Sequence, residues 1–314
     1  MAVANQEQDE QIESESPKGE RRRSLPLALI AAIRPKQWTK NLLLFAGFLF
    51  TLDKTQVLHS LSLAALGFGV FCLLSGATYI INDIADVDSD RLHPKKRFRP
   101  IASGDLPIPA AITAAVIITV IAAAASTTLG GRFEIAAAVY FFLTLSYSFW
   151  LKQVVIIDLL ILASGFVLRA IAGAWAINVG ISAWLVLCTL LLALFLGIEK
   201  RQSQLLAVQK GRQGGRRILN EYSTEMLDQM STIVTSALLM SYALYTIQSD
   251  SALKHHYLMA TIPFVLYGIF RYLYLVHRRG VGESPDEVLL KDKPMLINIV
   301  LWAVTTAFIV VLSH

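Results

Sequence analysis

Cysteine is almost missing from this chain. Cys72 and Cys188 are the two present, and each lies inside an apolar run. No disulfide framework and no CxxC metal pair can be built from them, and they do not mark a redox compartment. Charge is also scarce. Only 16% of the 314 residues are Asp, Glu, Lys or Arg, against 55% hydrophobic, where soluble domains carry about 25% charged residues. The mean hydropathy is +0.55. HExxH, GxSxG, Walker and GxGxxG signatures are all absent, so zinc-protease, serine-hydrolase and nucleotide-fold chemistry have no anchor. No element points to nucleic acid. What remains is a polytopic membrane protein, all-α, with the lipid bilayer as its principal partner.

Apolar segments of spanning length, about 20 residues each, fall near 26–51, 59–81, 108–129, 133–150, 154–177, 180–198, 229–248, 256–277 and 295–313. They predict nine transmembrane helices in one membrane domain, 24–314. The first is interrupted by Arg34-Pro35-Lys36-Gln37-Trp38-Thr39-Lys40, and Pro35 predicts a break. Residues 1–23 are polar, acidic and then basic, and read as a disordered cytosolic tail without a cleavable signal.

Lys and Arg placement sets the expected orientation. The connections after the second, fourth, sixth and eighth segments carry 16 of them, with seven more from Lys18 to Lys40, against Lys54, Arg132 and Lys254 on the other side. The N-terminus and the polar loops at 82–107 and 199–228 are therefore expected in the cytosol and the C-terminus outside, in a multi-pass cell membrane protein. Nothing sets the oligomeric state; a homo-oligomer is compatible.

The most informative stretch is Asn82 to Pro100, where four carboxylates and then a basic run follow directly on an apolar span. So much charge at the mouth of a membrane helix is costly unless something binds there. On one continuous helix, Asp83, Asp86 and Asp90 fall within an arc of about 60°, with Asp88 opposite. With Asn82 beside them they form an all-oxygen donor set suited to Mg²⁺, which keeps waters and shares phosphate ligands. Lys95, Lys96, Arg97 and Arg99 would then receive phosphates.

These residues resemble a known family. Asn82-Asp83-x-x-Asp86-x-x-x-Asp90, then Arg99-Pro100 and Gly104, is similar to the first aspartate-rich motif and loop of the UbiA-type prenyltransferase superfamily. His93-Pro94-x-Lys96-x-x-Arg99-Pro100, Arg34-Pro35-Lys36-Gln37-Trp38-x-Lys40-Asn41 and Lys200-Arg201 most resemble its phosphoribosyltransferase branch. That resemblance implies an enzyme, a nine-helix bundle, and Mg²⁺-dependent transfer of 5-phosphoribose from phosphoribosyl diphosphate to a polyprenyl phosphate such as decaprenyl phosphate. It places Asp83, Asp86 and Asp90 at the metal. It also places Tyr147, Lys152, Asp158 and Arg169 in a polar chamber above the metal, and points to Tyr222.

The second polar loop separates the branches. Aromatic prenyltransferases of this superfamily carry a second aspartate-rich motif after the sixth span. This chain reads Glu199-Lys200-Arg201-Gln202-Ser203-Gln204 there, with cations in place of acids. One metal site facing a fixed basic site suits two different phosphorylated substrates. Lys36, Lys40, Asn41, Lys200 and Arg201 are the candidates for the lipid phosphate; Lys36 and Lys40, four apart, would share a helical face. Gln204 stands where the branch has an acid and is given no role. Asp158 and Arg169 are eleven residues apart, about 16 Å along a helix, too far to pair. Either could instead pin neighbouring helices, and Lys200 and Arg201 could serve topology alone. The competing functions are an aromatic prenyltransferase and a cation-coupled transporter, although transporters place such acids near the midplane.

Overall fold

The computed structural model describes residues 23–48, 56–93, 96–209, 217–249, 253, 256–279, 288 and 291–312. The expected tail, apart from residue 23, and Lys95 lie outside them. The described residues are helical throughout, without a strand. In chain order the α-helices are α1 (Leu25–Ala32), α2 (Val57–Ala85), α3 (Val87–Leu92), α4 (Ile108–Thr127), α5 (Gly131–Phe149), α6 (Ile157–Ala176), α7 (Ala183–Gln209), α8 (Thr224–Gln248), α9 (Ile262–Arg279) and α10 (Lys293–Leu312).

Among the described residues, seven helices are long and apolar enough to cross a membrane: α2, α4, α6, α7, α8, α9 with its preceding turn, and α10. The other two expected spans differ for local reasons. Arg132, Glu134 and a polar final turn (Thr144, Ser146, Tyr147, Ser148) dilute the 19-residue α5. The first segment breaks at the proline, as its sequence predicts. α1 ends at Ala32, Arg34 turns left-handed (φ 52°, ψ 65°), and Pro35–Phe45 continues as a 3₁₀ helix. Proline disfavours the α conformation in the residue before it.

Composition explains the packing. The outward faces of α4 and α10 carry exposed Ile112, Val116, Ile117, Val120, Ile297, Val300 and Val304, the surface a bilayer covers. Inward, Leu44, Phe71, Phe133 and Tyr140 form one core, while Leu159, Ile198, Ile218, Tyr222 and Leu227 form another beneath the polar loops. The 3₁₀ segment lies hard against α6. A Cβ on Gly173 would stand 2.1 Å from the Leu44 carbonyl oxygen, so only glycine permits that approach.

Candidate active site

α2 ends at Ala85, Asp86 takes a non-helical conformation (φ −96°, ψ 6°), and α3 restarts at Val87. The acids therefore do not ride one continuous helix, and they divide into two groups. Asp83 and Asp90 are 2% and 1% exposed and share Arg99, whose Nη1 donates to Asp83 Oδ1 at 3.0 Å and Asp90 Oδ2 at 2.6 Å. Arg34 also donates to Asp83 Oδ1, and Lys96 Nζ lies 3.7 Å from Asp90 Oδ1. Asp86 instead meets Lys152 Nζ at 3.2 Å and accepts from Asn82 Nδ2 at 3.2 Å. Among the described residues no three His, Cys, Asp or Glu side chains are gathered as metal ligands.

The donor chemistry nevertheless fits a hard divalent ion in one respect. Asp83 Oδ2 and Asp90 Oδ1 are buried and accept no hydrogen bond, and a buried carboxylate oxygen left unbonded is costly. An oxygen-seeking cation that keeps waters and takes substrate oxygens would satisfy both.

The loop that brings Arg99 back has a definite geometry. Lys96–Phe98 is a 3₁₀ turn, where residues three apart share a face, so Lys96 and Arg99 turn together towards the acids. Arg97 is exposed and stacks on Phe98 at 4.8 Å. Gly104 sits at φ 83°, a backbone region open chiefly to glycine, and lets Leu106 N reach Pro100 O at 2.8 Å.

A second constellation is buried where α6, α7 and the entry to α8 meet. Asp158 and Arg201 are 0% and 2% exposed. Arg201 Nε donates to Asp158 Oδ2 at 2.8 Å, its Nη1 to Gln204 Oε1 at 2.7 Å and its Nη2 to Tyr147 Oη at 3.4 Å. Tyr222 Oη donates to Asp158 Oδ1 at 2.8 Å and accepts from Ile156 N at 2.8 Å. Ile156 has φ 67°, a strained conformation for a β-branched residue, and the tyrosine holds it there. Burial pushes the Tyr222 phenol up to about 12; the Ile156 N–H works against the rise and Asp158 adds to it. Ser223 caps α8 by accepting from Met226 N at 3.1 Å, as its sequence position suggests.

Arg169 forms a third cluster. Its Nε donates to Asn41 Oδ1 at 2.7 Å, Nη1 to Gly165 O at 2.8 Å and Nη2 to Tyr140 Oη at 2.8 Å. Asn41 is fully buried and reaches Cys72 and Ser75 on α2. These two residues fasten the first segment to α6 and α2, so Arg169 and Asn41 pin helices, and Asp158 and Arg169 do not pair.

The expected Lys36–Lys40 clamp does not form, because four residues in a 3₁₀ helix is a third of a turn off one face. Lys40 Nζ instead meets Gln37 Oε1 at 2.5 Å, and Lys36 is exposed. Lys200 is half-buried beside Arg201. Two residues left without a role in the sequence do take part. Arg34 binds Asp83, and its place in the opening Arg34-Pro35-Lys36 motif was a usable signal. Gln204 binds Arg201, which the loss of the branch's acid hid. Glu199, fully buried, accepts from Ser231 at 2.5 Å on the far face of α7.

The model of the UbiA prenyltransferase family matches residues 42–286. The chain belongs to that family. Within the family, a decaprenyl-phosphate phosphoribosyltransferase of Mycolicibacterium smegmatis is 33% identical over 295 residues, 89% of this chain and 91% of that one. Another from Corynebacterium glutamicum is 34% identical over 286 residues, 89% and 86% of the two chains. A UbiA homolog from Archaeoglobus fulgidus, solved with GPP and Mg²⁺, shares the fold with a TM-score of 0.69 at 19% identity, covering 90% of this chain and 99% of that one. The chain thus has the UbiA membrane fold and is a transferase of this family.

Proposed function

We propose that this protein transfers 5-phosphoribose from phosphoribosyl diphosphate to a polyprenyl phosphate, releasing pyrophosphate. The observation that carries the reading is Arg201. At the position where a second acid cluster would hold a second metal, a buried arginine is fixed on Asp158 at 2.8 Å. With an arginine there in place of acids, one candidate metal site is left, an arrangement for two unlike phosphorylated substrates rather than for one prenyl diphosphate held by two metals. The names of the mycobacterial and corynebacterial relatives support the same chemistry.

Asp83, Asp86 and Asp90, with Asn82, would hold a divalent ion, Mg²⁺ in this reading, whose charge offsets that of the departing diphosphate. Arg34, Lys96 and Arg99 serve as counter-ions to the acids and turn to the diphosphate when it arrives; Lys95, by its place in the basic run of the sequence, and Arg97 are assigned to the same phosphates. Lys152, Lys200 and Arg201 orient the lipid phosphate, with Tyr147, Asp158 and Tyr222 fixing the arginine. The nucleophile is a phosphate oxygen, anionic at neutral pH, so no general base is assigned. Attack in line with the leaving group forms the C1–O bond as the C1–diphosphate bond breaks, and inverts C1. Positioning and fixed charge supply the rate. The loops carrying these residues are assigned to the cytosolic face by their Lys and Arg excess.

The test is a purified-protein assay with labelled phosphoribosyl diphosphate and a polyprenyl phosphate. A lipid-linked phosphoribose is expected. A prenylated aromatic from a prenyl diphosphate, with no phosphoribosyl lipid, would assign the chain to the aromatic branch instead.

A further inference from the structure

Four carboxylates are buried among the described residues, and the transfer reaction leaves one of them unused. Asp83, Asp90 and Asp158 each bond an arginine. Glu199 is 0% exposed and pairs with no lysine or arginine among the described residues. Its Oε1 accepts from Ser231 Oγ at 2.5 Å, and its buried Oε2 accepts no hydrogen bond. A buried charge without a counter-charge is costly, and an ionisable group at such a depth in a membrane protein marks a binding site more often than a packing contact.

The seam around Glu199 is lined with oxygen. α7 and α8 run antiparallel there: Glu199 meets Ser231, and one turn on Gln202 Nε2 donates to Asp228 Oδ1 at 2.5 Å. Gln202 Oε1, Ser203 Oγ and Thr235 Oγ1 are buried as well, and none has a hydrogen-bond partner. Ser203 stands one turn from Glu199 on the same face of α7, and Thr235 one turn from Ser231 on α8. Helix side chains tilt towards their own N-terminus, so Ser203 leans back to the level of Glu199 and Thr235 to that of Ser231. The two hydroxyls also depart from the habit of their neighbours. Thr119, Ser148, Ser164 and Thr232 each donate to the carbonyl four residues back, the ordinary use of a hydroxyl inside a helix. Ser203 and Thr235 do not, and their oxygens are left for the seam.

We propose that this seam binds an alkali cation, Na⁺ or K⁺, held by Glu199 Oε2 with Gln202 Oε1, Ser203 Oγ and Thr235 Oγ1. An all-oxygen donor set suits a hard cation. The charge selects a monovalent one. Asp228 is 57% exposed and faces His277 Nε2 at 3.8 Å, so Glu199 is the single buried charge to be matched. An ordered water would fill the seam without neutralising the carboxylate. A proton on Glu199 would neutralise it but satisfy only one of the three neutral oxygens. Lys200 and Arg201 follow Glu199 directly, and the ion braces the turn that carries them against α8. The site is separate from the acids at 82–90 and does not depend on the transfer reaction.

The experiment is thermal unfolding of the full chain in detergent, in chloride salts of Na⁺, K⁺ or N-methylglucamine at one ionic strength. Na⁺ or K⁺ is expected to raise the wild-type Tm by about 2–4 °C over N-methylglucamine. Glu199→Gln keeps the shape and removes the charge, and should lose that increment. Should Glu199→Gln fail to fold, the double variant Ser203→Ala with Thr235→Val removes neutral donors alone; it should lose most of the increment and keep the Tm measured in N-methylglucamine. Asp83→Asn should retain the increment in full, which separates this ion from one held by the acids. Equal wild-type Tm in the three salts, the result for a bound water or proton, would overturn the proposal. So would a full increment in Glu199→Gln or in the double variant, or its loss in Asp83→Asn.

Discussion

Arg99 Nη1 stands 2.6 Å from Asp90 Oδ2, so the basic run folds back on the acids nine residues before it. The same nitrogen bonds Asp83, and the two carboxylates are thereby held together. Arg99→Ala is expected to lower kcat/KM for phosphoribosyl diphosphate on the order of 100-fold, as loss of one preorganised charge contact does. Arg99→Lys should recover only part of it, since an ammonium cannot reproduce the guanidinium fork. Steady-state kinetics with the second substrate saturating reads both.

Asp158 and Arg201 pair where neither touches water. Arg201→Met leaves Asp158 as an uncompensated buried charge, and breaking such a pair costs about 3–5 kcal/mol. Thermal unfolding should show this loss. The double variant Asp158→Asn with Arg201→Met should be more stable than Arg201→Met alone, because the stranded charge is gone. A merely topological arginine would show neither the loss nor the recovery.

Tyr222 makes a pH-dependent contribution of known sign. Its phenol is pushed up to about 12 by burial, from an unfolded value of about 10. A raised pKa means that the stability it contributes is complete below pH about 10 and fades between about 10 and 12. Tyr222→Phe removes the donor to Asp158 and the acceptor for the strained Ile156 N–H. The variant's deficit in Tm should be constant from pH 6 to about 9 and shrink above about 10.

Much of this was legible from residue types and spacing. The break at Pro35 and the grouping of charge at 82–100 follow from local chemistry, and the family resemblance marked Gly104. What was not legible depends on backbone form or on distant partners. Lys36 and Lys40 share a face only on an α-helix, and nothing local announces the 3₁₀ run from Pro35 to Phe45. A helical wheel over 82–90 assumes continuity, and the break at Asp86 sends that residue to Lys152, 66 residues away. The fixed partner of Asp158 is Arg201, 43 residues on, and that of Arg169 is Asn41 across 128. Such pairings are set by how helices pack.

Gly173 and Gly69 offer a matched pair of tests. At Gly173 a methyl would overlap the Leu44 carbonyl, whereas at Gly69 a Cβ meets nothing within 4 Å. Gly173→Ala must push the 3₁₀ segment off α6, a form of overpacking that costs about 1–3 kcal/mol, and should lower Tm and activity together because Arg34 sits at that segment's head. Gly69→Ala should be neutral or slightly stabilising in the same thermal assay.

Metal dependence is the most direct test of the acids. Exhaustive chelation should abolish turnover and added Mg²⁺ restore it. Asp83→Asn and Asp90→Asn preserve shape while removing charge, so each should stay inserted and lose on the order of 10²–10³ in kcat. Ligand linkage supplies a readout independent of turnover. Anything that binds the folded state alone stabilises it, by about 2.7 kcal/mol at a hundredfold excess over Kd. Mg²⁺ with pyrophosphate should therefore raise the Tm of the wild type, and pyrophosphate alone should do much less. Both Asn variants should lose that increment while keeping their unliganded Tm within a few degrees. If Mg²⁺ with pyrophosphate stabilises Asp83→Asn and Asp90→Asn as fully as the wild type, the buried unbonded oxygens of Asp83 and Asp90 are not metal donors.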